Sequence, residues 1–351
     1  MEKDLLLKMI QTPSPSGAEF SLQKEVYRYF NEHADDVLTD HVGNVVGVLN
    51  QEAPVKVLLA GHVDEIALMV SHVTDAGLLK VTNVGGVRPS LYLGSKVRVL
   101  TKTGVLYGAV GVNTGLLKNK DLTCADLFID LGAKTKEEVL AHVKVGDYVI
   151  MDTDAVPLLN NHLSGRGLDN RLGAFIVMQA LKRAKALNTK TGVYAATTVG
   201  EETTMRGAHH VTQLVKPTLA LAVDVTFATD YPGTNPQATG NVLLGNGPVL
   251  CESSIVNNAI NQRLAEIAKT LEMTIQSDIA PALTHTDADK ILFAGTNTAV
   301  ALVSIPLRYM HSSSEVVCLD DVEQIIELIA QFICSLDQQP LDLFPVTLTL
   351  N

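Results

Sequence analysis

The chain contains no tryptophan, and aromatic residues make up only 5% of its 351 positions. A cleft that stacks sugar rings has little to be built from, which argues against a glycoside hydrolase working with two carboxylates. Positive charge is also scarce: 27 Lys and Arg face 38 Asp and Glu, a net charge of −11. Nucleic-acid phosphates call for basic stripes, so no nucleic-acid partner is expected. Long apolar runs are missing. The longest, around residues 298–307, is too short to span a bilayer, so no membrane association is expected. The first residues do not pair a basic stretch with an apolar one, so no secretory signal is expected. The four cysteines (Cys124, Cys251, Cys318 and Cys334) are scattered and include no Cys-x-x-Cys pair. They read as reduced thiols, with the cytoplasm as the expected compartment. His-Glu-x-x-His, the Gly-x-Ser-x-Gly elbow and the phosphate-cradling Gly-rich loop are absent as well.

What remains is an ordinary globular composition, 46% hydrophobic and 19% charged, long enough for two domains. Residues 3–10 read as a helix that stops at a Pro/Ser/Gly cluster ending at Gly17, and residues 18–33 read as a second. Residues 37–49 suggest a hairpin turning at 40–44. Residues 55–59 are a nearly continuous apolar run, as in a strand buried on both faces. Short β-like runs then dominate at 78–84, 96–101, 105–112, 127–131 and 148–151, with one helical stretch at 136–143. Helices are expected again at 172–184, 207–214, 254–271 and 320–336, alternating with strands at 193–199, 219–223 and 299–305. The expected fold is α/β: a mixed, mostly parallel sheet flanked by helices, interrupted by a small β-rich insert. Residues 1–68 and 158–351 would form the catalytic domain, and residues 69–157 the inserted oligomerisation or lid domain.

The apolar runs end at chemistry-bearing side chains. His62 and Asp64 follow 55–59, Glu201 and Glu202 follow 193–199, Asp224 closes 219–223, and His311 follows the run that starts at 299. Asp169 sits in a Gly-rich turn before the helix at 172. Ligands of open α/β sheets gather beyond the carboxyl ends of strands. Each residue also has a plain structural reading. His62 can be a satisfied core histidine, Glu201 and Glu202 first-turn helix acids, Asp169 a helix cap, and His311 a loop histidine. If all seven converge, five carboxylates share one crevice and several must take up protons unless cations are present. Two divalent cations remove that problem and lie about 3.5–4 Å apart in such centres. Asp169 as bridge, with one His and one further carboxylate per ion, fills the requirement and leaves Glu201 free for water. Asp64 can fix the tautomer of His62.

These residues in this order resemble the M42 family of metallo-aminopeptidases. The likeness runs through Pro13-Ser14-Pro15-Ser16-Gly17, Gly61-His62-Val63-Asp64-Glu65-Ile66, Gly167-Leu168-Asp169-Asn170-Arg171, Val199-Gly200-Glu201-Glu202, Ala222-Val223-Asp224-Val225, Thr286-Asp287-Ala288 and Ile305-Pro306-Leu307-Arg308-Tyr309-Met310-His311-Ser312. The resemblance implies two divalent metal ions, zinc or cobalt, per subunit. His62 and Asp224 would hold one, Glu202 and His311 the other, with Asp169 between. Glu201 would be the catalytic base acting on water between the ions, and Asp64 the orienter of His62. It implies peptide substrates cut at their N-terminal residue and a homo-oligomer, often a twelve-subunit tetrahedral shell built through the insert. An M20-type metallo-carboxypeptidase or deacylase is the alternative, since it shares the His-x-Asp and Glu-Glu pairs. Arg308 is a candidate basic pocket residue favouring an N-terminal Glu or Asp; a salt bridge beneath the site is its other reading.

Overall fold

A computed structural model describes residues 1–343 of the chain. Helices α1 (Lys3–Gln11) and α2 (Phe20–His33) lead into strands β1 (Asp36–Thr39), β2 (Val45–Leu49) and β3 (Lys56–His62). Strands β4 (Ala67–Val73), β5 (Leu78–Val84), β6 (Lys96–Thr101) and β7 (Gly104–Val110) follow. Then come α3 (Thr114–Lys118), β8 (Phe128–Asp130), α4 (Lys136–Leu140) and β9 (Tyr148–Met151). Beyond β10 (Val156–Pro157) and β11 (His162–Gly165) lie α5 (Leu168–Ala186), β12 (Gly192–Thr198), α6 (Glu201–Thr204), α7 (Arg206–Val215) and β13 (Leu219–Phe227). The remainder is α8 (Pro236–Thr239), β14 (Val249–Ser253), α9 (Asn258–Thr270), β15 (Gln276–Ala280), α10 (Asp287–Leu292), β16 (Ala299–Leu307), β17 (Glu315–Cys318) and α11 (Leu319–Ser335).

Eight strands form the main sheet in the order β1-β2-β12-β3-β13-β16-β14-β15. The sheet is mixed. β12, β3, β13 and β16 run parallel through its centre, as does the edge pair β14–β15. β1–β2, β2–β12 and β14–β16 are antiparallel. Side chains alternate across a strand, and here both faces are apolar and covered. Val57, Leu59, Val193, Ala195, Leu219, Leu221 and Val223 pack with α1, α2, α5, α9 and α11. Leu58, Ala60, Tyr194, Ala196, Ala220 and Ala222 pack with α7 and α10. That double burial is why these strands are continuous apolar runs.

The β-rich stretch closes into a barrel, β4-β5-β8-β7-β6-β9, with its own core of Leu68, Val70, Leu79, Val81, Val97, Val99, Ile129 and Val149. Closure leaves these strands no open edge. Its first strand starts at Ala67 and includes residues that the sequence left unassigned. Strands β14, β15 and β17 and helix α10 were also unread. The helix expected at 254–271 starts only at Asn258, because the Asn257 side chain caps it by accepting from the Ala259 N–H. No helix among the described residues is long and apolar enough to cross a membrane.

Candidate active site

The four central parallel strands bring their carboxyl ends to one crevice. His62 is the last residue of β3, and Glu201 and Glu202 open α6 just past β12. Asp224 lies within β13, which continues three residues beyond it, and His311 lies four residues past β16. Asp169 stands at the head of α5, where it and Asn170 keep non-helical backbone. The cap role that sequence allowed for Asp169 falls to Asn170, whose Oδ1 accepts the Gly173 N–H at 2.9 Å. Asp169 is thereby released toward the crevice. Close approach makes this possible. A Cβ on Gly61 would come within 2.5 Å of the Gly173 backbone, so strand and helix pack there main chain to main chain. A Cβ on Gly86, in the loop after β5, would lie 3.0 Å from the His311 ring.

All seven residues singled out from the sequence lie together. His62 Nε2 is 3.3 Å from Asp169, 3.6 Å from Glu201 and 3.8 Å from Asp224. His311 Nε2 is 3.2 Å from Asp169 and 3.4 Å from Glu202. Asp169 is the one carboxylate among the described residues paired with both imidazoles. Two sets could each hold a cation, His62 with Glu201 and Asp224, and His62 with Asp169 and Glu202; within each, donor atoms lie within 4.8 Å of one another. Asp64 works from beneath. Its carbonyl oxygen and carboxylate lie 3.1 and 3.4 Å from His62 Nδ1. With the proton on Nδ1, the ring donates to Asp64 and turns the Nε2 lone pair toward the acids. The two Asp64 oxygens also accept the N–H groups of Glu201 and Glu202 at 3.0 and 3.2 Å, so one buried carboxylate positions the imidazole and the Glu-Glu turn together.

The cluster holds more negative charge than its burial supports. Burial, with Asp224, Asp287 and Glu202 nearby, drives the Glu201 carboxyl well above its usual range despite the opposing His62. Burial and the Asp169 charge push Glu202 up to about 7, and burial lifts Asp224 strongly. Burial alone would lower both histidines. The charge of Glu201 and the hydrogen bonds to Asp169 and Asp64 outweigh it at His62, which is held well above the usual imidazole range. Hydrogen bonds to Asp169 and Glu202 raise His311 to about 11. Burial would raise Asp169 too, yet its bonds from the two imidazoles hold it below its usual value. Glu202 Oε1 is buried with no hydrogen-bond partner. Carboxylates in this state are what a bound cation satisfies.

Three further acids border the seven: Glu65 and Asp287 lie in the motifs quoted above without a role of their own, and Glu315 lies in none of them. Glu315, on β17, is fully buried and accepts the N–H groups of Leu168, Asp169 and His311, tying the two ends of the crevice together. Its signal was an acid four residues after His311 heading an apolar strand. Asp287 accepts from Thr198 at the end of β12, and burial pushes it up to about 6. Glu65 lies beneath the cluster between two buried guanidiniums, Arg166 and Arg171, and also accepts the Ser14 N–H at 3.1 Å. Burial works against its charge, but the guanidiniums hold its carboxyl down at about 2. This value lies below the ordinary 4.5. The stability Glu65 confers is therefore complete above about pH 4.5 and is lost as pH falls toward about 2. Glu65→Gln leaves two uncompensated buried cations and should cost about 3–5 kcal/mol near neutral pH. Denaturant melts of both proteins should show the gap narrowing as pH falls; a gap that is constant or widens would contradict the assignment. Arg308 does not serve the pocket: its guanidinium is held by Asp230 through two bonds of 2.7 and 2.6 Å.

An α/β sheet with imidazoles and carboxylates gathered beyond its strand ends has the build of a hydrolase that works with metal ions. Comparison with known proteins narrows the class. The sequence model of the M42 glutamyl aminopeptidase family matches residues 43–328, and the chain belongs to that family. It is a peptidase, of the aminopeptidase kind. The lysyl aminopeptidase of Pyrococcus furiosus is 31% identical over 352 residues, spanning 97% of this chain and 99% of its own. A TET aminopeptidase from Thaumarchaeota archaeon SCGC AB-539-E09 matches the fold with a TM-score of 0.90 at 29% identity, covering 96% of each chain. The TET1 peptidase of Pyrococcus horikoshii, which can assemble into a tetrahedron or a large octahedral shell, matches at 0.84 with 29% identity, covering 95% of this chain and 98% of that one.

Proposed function

We propose that the chain is a dinuclear metal-dependent aminopeptidase that removes N-terminal residues from short peptides. His62 and Asp224 would hold one ion and Glu202 and His311 the other, with Asp169 shared between the two. The ions are zinc or cobalt, both suited to a mixed imidazole and carboxylate set. Bound there, they would polarise the scissile carbonyl and make water acidic enough to attack it. Glu201 takes a proton from the attacking water and delivers it to the leaving amine, which departs as the shortened peptide. A carboxylate suits this exchange, because it accepts the water proton as a general base and, once protonated, delivers it as a general acid. Asp64 holds His62 in the tautomer that leaves Nε2 unprotonated, and it fixes the main chain of Glu201 and Glu202.

The observation that carries this reading is the surplus of buried carboxylate charge around two imidazoles, with Glu202 Oε1 left without a partner. The inserted domain expected at residues 69–157, whose barrel begins with β4 at Ala67, would join subunits into a homo-oligomer, a twelve-subunit shell; likeness to the TET1 peptidase, which forms a dodecamer, supports this. The four free cysteines suit the reducing cytoplasm. The test is a panel of short peptides with free or acetylated amino termini, run with metal counting and native mass measurement on one preparation. The expected result is two ions per chain, turnover of free termini only, and a mass of many subunits. Turnover of blocked peptides from their carboxyl ends would favour the carboxypeptidase or deacylase alternative, and a stable monomer would refute the shell.

A further inference from the structure

The cleft that holds the catalytic cluster extends to strand β15 at the edge of the sheet, with a volume of about 1080 Å³ including its open mouth. No lysine or arginine lines it among the described residues. Away from the seven residues already described, it presents one further acid, Asp278. One oxygen of this carboxylate, Oδ2, accepts a hydrogen bond from the Thr226 hydroxyl at 2.6 Å. The other, Oδ1, is buried and has no hydrogen-bond partner. The Cys251 thiol sits opposite in the β14–β15 register. Burial and the Asp278 carboxylate push that thiol up to about 12, so it stays neutral and does not become a second anion.

The location suits the first residue of a substrate. Thr226 follows Asp224 by two positions in β13, so the two side chains leave the same face of the strand about 7 Å apart. Asp278, bonded to Thr226, therefore lies about one side-chain length along the strand from the catalytic cluster. Met205, Phe227, Cys251, Leu302 and Met310 give the same cleft an apolar lining. Ser304, opposite Asp224 in register, adds a buried hydroxyl with no partner of its own. A cleft with apolar walls and the Asp278 carboxylate on its β15 side fits an alkyl stem with a cationic head. It repels an acidic side chain, and Arg308, which could have attracted one, is occupied by Asp230.

We propose that Asp278 is the specificity-determining residue of this cleft, and that N-terminal lysine and arginine are the residues released fastest. The assignment rests on the aminopeptidase reading given above. Its test is the metal-loaded full chain assayed on chromogenic lysyl, arginyl, leucyl and glutamyl substrates, beside Asp278→Asn and Asp278→Glu. The Asn variant keeps the shape and the Thr226 bond but removes the charge. The ratio of kcat/KM for lysyl over leucyl substrate should favour lysyl in the wild type and fall about 100-fold in Asp278→Asn, mostly through KM. Asp278→Glu should recover part of the ratio. A wild type that turns over leucyl or glutamyl substrate better than lysyl and arginyl overturns this assignment alone, as does a ratio untouched by Asp278→Asn. A wild type idle on every free-amine substrate removes both the assignment and the reading beneath it.

Discussion

Glu201→Gln keeps its metal and loses about 10³-fold of its turnover. The amide matches the carboxylate in shape, and the Glu201 N–H still donates to Asp64 at 3.0 Å, so the turn that carries Glu202 is undisturbed. What disappears is the ability to accept a proton from water and return it to the leaving amine. The loss should fall on kcat rather than KM, since no substrate contact is removed. Elemental analysis should find the same ion content as in the wild type. Near-full activity with intact metal would move the base elsewhere; loss of an ion would mean that Glu201 is itself a ligand, a role its 3.6 Å distance to His62 makes a fair competitor.

Asp169→Asn should weaken both ions together, by about 100-fold or more in affinity. The reason is geometric: Asp169 is paired with His62 at 3.3 Å and His311 at 3.2 Å, whereas Asp224 pairs with His62 alone and Glu202 approaches His311, at 3.4 Å, more closely than His62. Changing Asp224 or Glu202 should therefore affect one ion more than the other, but changing Asp169 should affect both. Dialysis against a chelator buffer with ion counting reads this directly. Selective loss of one ion from Asp169→Asn would end its role as the shared ligand.

Much of this arrangement was readable because the central strands are buried on both faces. Their sequences are unbroken apolar runs, so the first charged residue after each run, as at His62 or Glu201, stands out against its neighbours. Asp224 stood out for the same reason, although its strand runs on past it. The edge was harder to read. β14 and β15 are short and carry Glu252, Gln276, Ser277 and Asp278, so neither period nor composition separates them from loop. Glu315 was missed because its role is to accept main-chain N–H groups from α5 and from the His311 loop, contacts that no local pattern records. Barrel closure depends on β4 meeting β9 across some eighty intervening positions, which single-strand periodicity does not encode. Arg308 had two readings, and Asp230, seventy-eight positions away, decided between them.

The hydrolytic residues hang from the interior of the sheet, where every strand is flanked on both sides, while Asp278 hangs from its outermost strand. Substitutions at a rim disturb few neighbours, so the taste of the enzyme can drift while the machinery for breaking the bond stays put. Retuning this protein toward another first residue is thus a problem of rewriting a border, not of rebuilding a centre.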